Sequence, residues 1–208
     1  MPLDRRELLA KCMAFGVVAS TSSLLPSVLA EAWEQKENIR RPTPTVELGP
    51  FYKRRAPNAN ALREAGDPGM PLEVAGQVFS TRGEAISGAT IEIWQTNHVG
   101  LYDLDGYHYR AKLTAAAEGK YDFSSVIPGH YPARVCQHVH YLVTASGHKP
   151  LTTQLYFATD PVFEGDPDKN YTRDQLITSR ELIRPVTLVG DPKDIHAAVR
   201  FELVLEAL

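Results

Sequence analysis

The sequence is poor in cysteine, with only two among its 208 residues. Cys12 lies in an N-terminal segment with the features of an export signal, so removal of that segment would leave Cys136 as the single thiol. One cysteine cannot form an intrachain disulfide. A chain of this length has enough residues to bury a substantial core in one domain, and we expect the fold to depend on that core.

The sequence also lacks an excess of charge, internal repeats and a hydrophobic run long enough to cross a membrane. Its 22 basic and 25 acidic residues give a net charge of -3, which argues against nucleic acid or an anionic membrane as a partner. The apolar stretch 13–25 is interrupted by 20–23, four hydroxyl residues, and is shorter than the ~20 residues that a membrane span needs.

Residues 1–30 are predicted to be an export signal, because an Arg5-Arg6 pair precedes the apolar stretch and 28–30, Val-Leu-Ala, forms a small-residue cleavage pattern. The arginine pair favours twin-arginine export and a periplasmic or secreted location. Asp4 and Lys11 depart from the usual twin-arginine motif, so a general secretory signal is the alternative.

After this segment, residues 31–70 are polar and rich in proline, and they are predicted to form an N-terminal arm and a pocket-covering loop outside the core. Residues 71–208 contain short runs of alternating apolar residues with glycine breaks, which predict strands. The predicted strands are 72–80, 89–95, 109–114, 119–126, 139–145, 152–157, 181–189 and 197–205. This spacing indicates an all-β protein, a β-sandwich with long loops and an N-terminal arm. Residues 174–179 are expected to form a helical turn.

Two tyrosines and two histidines in the middle of the chain form a candidate iron site. His138 and His140 are two positions apart on a predicted strand, so both imidazoles point to the same face. Tyr102 and Tyr131 precede them in loops. Phenolate oxygen together with imidazole nitrogen suits the hard, strongly Lewis-acidic Fe(III).

Four segments carrying these residues resemble the intradiol ring-cleaving catechol dioxygenases in order and spacing. They are 45–52 (TVELGPFY), 91–97 (IEIWQTN), 127–132 (IPGHYP) and 151–157 (LTTQLYF). The resemblance implies a non-haem Fe(III) cofactor with Tyr102, Tyr131, His138 and His140 as metal ligands. It further implies that Tyr102 and His138 are equatorial, and that Tyr131 and His140 are axial. On substrate binding, Tyr131 would leave the metal and act as an internal base.

Two further residues are candidate catalytic groups by the same resemblance. Gln154 matches a glutamine that lies near the metal-bound solvent and the substrate. The family places an arginine, which stabilises negative charge on the substrate, three residues before the first ligand histidine. Here Val135 occupies that position and Arg134 lies one residue earlier, so a one-residue bulge would be needed to aim its guanidinium inward.

The implied function is cleavage of a catechol by O2, between its two hydroxylated carbons, to a cis,cis-muconate-type diacid. The partners would be a catecholic small molecule and O2. A non-catalytic secreted β-sandwich that binds a phenolic or carbohydrate ligand is the alternative. An Fe(II) extradiol enzyme or a cupin is disfavoured, because those sites combine histidines with a carboxylate.

The sequence leaves several assignments open. Tyr107 and Tyr109 follow in the same loop and hairpin as Tyr102 and compete for the first tyrosine position, although the Gly-x-Tyr context favours Tyr102. The arm residues 49–54 and the loop 101–109 are expected to line the pocket, where Lys53 or Arg54 could meet a carboxylate on the substrate ring. The substrate and the oligomeric state, including a homo-oligomer, are left open.

Overall fold

The computed structural model describes residues 39–132 and 134–208. Its strands are β1 (Pro71–Ser80), β2 (Thr90–Trp94), β3 (Arg110–Thr114), β4 (Lys120–Val126), β5 (His138–Thr144), β6 (Leu151–Phe157), β7 (Ile183–Arg184), β8 (Thr187–Val189), β9 (His196–Arg200) and β10 (Leu203–Leu205). One short α-helix, α1 (Pro167–Asn170), and the 3-10 turns Ala117–Gly119, Pro161–Phe163, Tyr171–Arg173 and Arg180–Leu182 lie between them. The predicted all-β class is confirmed.

The strands form two five-stranded mixed sheets. In the first sheet the order is β10-β1-β9-β8, and β4 also pairs with β1. The long strand β1 is antiparallel to β4 and parallel to β9 and β10. The second sheet has the order β3-β2-β5-β6-β7, in which only the last pairing is parallel.

The core lies between the two sheets, and strand β5 shows how it is built. Val139, Tyr141 and Val143 point to one face of this strand and are fully buried. The Tyr141 ring packs against Phe123 of β4 and against Phe201, with ring centroids 6.2 and 5.3 Å apart. Because side chains alternate along a strand, the two histidines of β5 point away from this core. The outer face of the second sheet is therefore where the candidate site lies.

Two of the predicted strands are broken in the structure. The run 181–189 becomes a 3-10 turn followed by β7 and β8, which belong to different sheets. Pro185 lies between them, and proline cannot donate a ladder hydrogen bond. The run 197–205 divides into β9 and β10, which pair with different stretches of β1.

Two smaller expectations need correction. Residues 174–179 contain a single hydrogen-bonded turn, in which the Ile177 amide donates to the Asp174 carbonyl oxygen at 3.1 Å, and no helix. The nearby helix α1 begins after Asp166, whose side chain accepts a hydrogen bond from the Lys169 amide, with Pro167 at its first position. The arm is not wholly outside the core, because Val46 and Leu62 are buried in it. Their amides donate to carbonyl oxygens of β6 and β4.

The predicted export signal, residues 1–30, lies outside the described residues. In the part of the chain that the structure describes, no helix is both long and apolar enough to cross a membrane.

Candidate metal centre

Strand register brings the polar residues of the second sheet into rows. Trp94 of β2 is paired with His140 of β5, which is paired on its other side with Gln154 of β6. His138 is paired with Tyr156 in the next row. Directly paired residues in antiparallel strands point to the same face, so these side chains form one polar patch.

The two tyrosines reach this patch from loops that pack tightly against each other. The Asn97 side chain accepts hydrogen bonds from the amides of Val99 and Leu101, which fixes the turn before Tyr102. Gly100 has a φ of +84°, and a Cβ atom there would lie 1.8 Å from the carbonyl oxygen of His130. Only glycine fits this contact. The close approach places Tyr102 beside Tyr131.

Tyr102, Tyr131, His138 and His140 form a closed ring of side chains. The distances between ring centroids are 5.6 Å for Tyr102–Tyr131, 5.7 Å for Tyr131–His138, 4.8 Å for His138–His140 and 6.4 Å for His140–Tyr102. The His140 Nε2 atom lies 3.1 Å from the Tyr102 hydroxyl oxygen. The four residues predicted as metal ligands are thus brought together.

His138 has the orientation and protonation that a metal ligand needs. Its Nδ1 lies 2.7 Å from the Cys136 carbonyl oxygen, which can only accept, so Nδ1 carries the proton. Its Nε2 is buried and has no hydrogen-bond partner among the described residues. Burial, followed by the charge of Arg134, lowers the pKa of His138 to about 4. A neutral imidazole with an unpartnered Nε2 lone pair results.

His140 is held from several sides. Its Nδ1 lies 3.1 Å from Gln154 Nε2. The Trp94 indole stacks on its ring, with centroids 4.8 Å apart and 10° between the planes. Burial and the neighbouring His138 hold the pKa of His140 well below its usual value. Gly49 of the arm approaches the ring so closely that a Cβ atom there would lie 3.3 Å from the His140 Cε1 atom.

The tyrosines are neutral phenols unless a cation stabilises their phenolates. Burial, and then the adjacent Tyr131, raise the pKa of Tyr102. Burial also raises the pKa of Tyr131. Among the described residues, no group of three or more His, Cys, Asp or Glu residues could hold a metal ion. Tyr102 and Tyr131 are the oxygen donors whose rings close the circle around the two histidines.

Arg134 lies beside the site, although it is one residue away from the family position. Its side chain is only 7% exposed and pairs with Asp174, Nε to Oδ2, at 3.1 Å. Its second terminal nitrogen donates to Gln154 Oε1 at 3.0 Å and to the Tyr156 hydroxyl at 2.8 Å. The expected strand bulge is replaced by a tight turn, in which the Arg134 amide donates to the Tyr131 carbonyl oxygen at 2.9 Å. This turn directs the guanidinium inward.

The other residues considered for the site lie away from the ring of two tyrosines and two histidines. The Tyr107 hydroxyl donates to the Arg54 carbonyl oxygen at 3.0 Å. Tyr109 is buried and stacks on His108, with centroids 4.1 Å apart. Lys53 donates to three carbonyl oxygens of the loop 104–106, so its ammonium is fully used within the protein. Of Tyr102, Tyr107 and Tyr109, only Tyr102 reaches the histidines of β5 among the described contacts.

Sequence reasoning missed several supporting residues. Phe51, which lies within the arm residues 49–54 expected to line the pocket, stacks on Tyr102 with centroids 4.2 Å apart, a contact that the sequence did not specify. Asp174 comes from an irregular polar stretch in which nothing marks it as the partner of Arg134. Arg110 reads as one polar residue at the start of a strand, yet it is buried behind Tyr102.

Known proteins share sequence similarity with this chain. The catechol 1,2-dioxygenase 2 of Acinetobacter lwoffii is 32% identical over 173 residues, which cover 69% of this chain and 61% of that protein. The chain thus spans about three fifths of that relative's length. The chlorocatechol 1,2-dioxygenase of Rhodococcus opacus is 28% identical, covering 79% of this chain and 72% of the relative.

Solved structures show the same likeness. The dioxygenase domain of a dioxygenase carbohydrate-binding protein fusion from Streptomyces sp. SirexAA-E superposes with a TM-score of 0.70 at 31% identity, covering 81% of this chain and all of that domain. The 3-chlorocatechol 1,2-dioxygenase of Rhodococcus opacus 1CP shares the fold, with a TM-score of 0.70 at 18% identity, over 86% of this chain and 78% of that one. A family model described as Dioxygenase matches residues 47–207. The chain therefore belongs to the intradiol ring-cleavage dioxygenase family.

Proposed function

We propose that this protein is a non-haem Fe(III) intradiol dioxygenase, which uses O2 to cleave a catechol between its hydroxylated carbons and forms a cis,cis-muconate-type diacid. The observation that carries the proposal is the closed ring of two phenols and two imidazoles. Relatives that are named for 1,2-cleavage of catechol, chlorocatechol and hydroxyquinol support it.

The side chains in the ring fit Fe(III). His138 offers a buried nitrogen lone pair with no partner among the described residues, and His140 Nε2 faces the Tyr102 hydroxyl. Hard phenolate donors favour a trivalent metal over Fe(II) or Zn(II). When bound, Fe(III) would make the ring of a coordinated catechol susceptible to attack by O2. Tyr102, Tyr131, His138 and His140 would hold it.

Tyr131 is the proposed base for substrate deprotonation. If Fe(III) were held by this ring of side chains, Tyr131 would be a phenolate and could accept one catechol hydroxyl proton at its oxygen, and the second proton would pass to solvent hydroxide. Tyr131 lies on a loop and is only partly buried, whereas His138 and His140 are fixed in a strand. Of these groups, the tyrosine is the one whose displacement would disturb the fold least.

Arg134 and Gln154 are proposed to act together at the substrate. Gln154 connects the His140 ring to the Arg134 guanidinium, since its Nε2 lies by Nδ1 of the histidine and its Oε1 accepts from the arginine. Arg134 thereby provides a fixed positive charge beside the Tyr131 phenol. We propose that this charge would stabilise a catecholate bound beside Tyr131.

The rings of Phe51, Tyr102 and Tyr131 offer an aromatic wall to a planar substrate. Phe51 is stacked on Tyr102 and lies edge-on to Tyr131, with centroids 6.0 Å apart. Lys53 is held by loop carbonyls, which leaves Arg54 as the candidate partner of a ring carboxylate. Because the relatives are named for catechol, chlorocatechol and hydroxyquinol, we propose that catechols without a ring carboxylate are preferred over protocatechuate. We also propose that the protein is exported, as the Arg5-Arg6 segment predicts.

The test is iron loading of the purified protein followed by visible spectroscopy and O2-electrode assays with a panel of catechols. We expect about one Fe(III) per chain, a tyrosinate-to-iron charge-transfer band and O2 uptake. Tyr107→Phe is the control and should behave as wild type, because Tyr107 lies outside the ring of ligands. A coloured protein that binds catechol without O2 uptake would support the non-catalytic alternative, and a colourless iron-loaded protein would refute the proposal.

A further inference from the structure

Arg110 is a buried cation behind the Tyr102 ring. It begins strand β3, its residue is 4% exposed, and its guanidinium carbon lies 5.7 Å from the centroid of the Tyr102 ring. One terminal nitrogen donates to the Phe51 carbonyl oxygen at 2.6 Å and the other donates to the Asp103 carbonyl oxygen at 3.2 Å. Arg110 thus connects the arm to the residue that follows Tyr102.

Arg110 has no acidic partner in the described part of the chain, where it forms no ion pair. The carboxylate of Asp103 instead accepts hydrogen bonds from the amides of Asp105, Gly106 and His108. The Arg110 Nε atom is buried and likewise lacks a partner among these residues. Buried charges in proteins are normally paired.

Arg110 differs from Arg134 in its acidic partner. Both arginines are buried at the same site, but Arg134 forms an ion pair with Asp174 at 3.1 Å. Arg110 donates hydrogen bonds to carbonyl oxygens and lies against the Tyr102 ring. The Asp103 carboxylate is close enough to act on its charge but forms no ion pair with it, because that carboxylate is hydrogen-bonded to backbone amides. A negative charge on Tyr102 would supply a further counter-charge directly against the guanidinium.

We propose that Arg110 is a positioning residue for Tyr102, which holds the ligand loop against the arm and supplies a fixed positive charge beside the Tyr102 phenolate in the iron-loaded protein. The inference rests on the proposed Fe(III) function. For a phenolate charge shared with the ring, whose centroid lies 5.7 Å from the guanidinium carbon, Coulomb attraction in a partly buried site corresponds to roughly a tenfold to hundredfold effect on an equilibrium. Arg110 should therefore slow the loss of iron. It should also lower the energy of the phenolate electrons that give rise to the visible band.

The experiment compares Arg110→Met, Arg110→Lys and Arg40→Met, each assayed for thermal stability without metal, for the visible band after iron loading and for the rate of iron loss to a chelator. Arg40 is the matched control, because its guanidinium also lies over an aromatic ring, that of Phe79 at 3.5 Å, and it pairs with Glu202. The wild-type band tests the proposed function separately, since its absence would refute the iron centre whatever the variants do.

Arg110→Met should shift the band to longer wavelength, because phenolate electrons without a neighbouring positive charge are easier to transfer to the metal. It should also lose iron roughly tenfold faster or more. Arg110→Lys, which keeps the charge, should show a band at the wild-type position, and Arg40→Met should match wild type in both measurements.

A wild-type band and wild-type iron retention in Arg110→Met would overturn the proposal. So would equal band shifts in the Met and Lys variants, since the role would then be structural. If Arg110→Met does not fold, Arg110→Gln, which removes the charge but keeps hydrogen-bond donors, takes its place with the same expected and contradicting results.

Discussion

Replacing His138 with Asn should remove much of the acid sensitivity of the metal-free protein. The folded-state pKa of His138 is lowered from 6.5 to about 4 by burial and by the Arg134 charge. Above pH 6.5 the imidazole is neutral in both the folded and unfolded states. As the pH falls towards 4, the unfolded chain binds a proton that the folded protein rejects. The free energy of unfolding should therefore fall by about 3 kcal/mol through this one residue.

Urea unfolding of the chelator-treated protein at pH values from 7 to 4 measures this loss. Absolute stabilities will differ between variants, so the comparison is between the changes with pH. The control is His148→Asn, since His148 contacts the carbonyl oxygen two residues earlier as His138 does, but on the surface. The control should follow the wild-type pH dependence, whereas His138→Asn should lose about 3 kcal/mol less between pH 7 and 4. Parallel curves for all three proteins would refute the reasoning.

Further predictions concern the tyrosines and export. Tyr102→Phe should weaken iron retention and change the visible spectrum both with and without catechol; an unchanged spectrum would contradict its assignment as a ligand. Tyr131→Phe should keep iron while turnover falls roughly 10²–10⁴-fold, as expected for loss of a general base, and its substrate-bound spectrum should converge with that of wild type. Because burial raises the pKa of Tyr131, iron uptake should release one more proton from wild type than from Tyr131→Phe, as counted by potentiometric titration. Replacing Arg5-Arg6 with Lys-Lys should trap the precursor in the cytoplasm, and unchanged export would indicate the general secretory route.

The parts of the site that follow strand periodicity could be predicted from the sequence. The two-residue spacing of His138 and His140 places both on one face, and the structure has them there. The strand ends near Trp94 and the segment containing Gln154 were also located, because their apolar patterns are local. Local alternation of buried and exposed side chains carries this information.

Contacts between distant segments could not be predicted in this way. The pairing of Arg134 with Asp174 joins residues 40 positions apart, through an irregular stretch without periodicity. Arg110 reads as an ordinary polar residue at a strand start, and its burial depends on how the arm and the ligand loop fold over it. Proline and packing likewise divided the last two predicted strands, since edge pairing is decided by tertiary neighbours rather than by propensity.

The most direct test of the central claim is the product that the iron-loaded protein forms from catechol under ¹⁸O₂, identified by mass spectrometry. Intradiol cleavage predicts cis,cis-muconate with both oxygen atoms of one O2 molecule incorporated. A ring-opened aldehyde, which signals cleavage outside the two hydroxylated carbons, or unreacted catechol beside fully loaded iron would contradict the account.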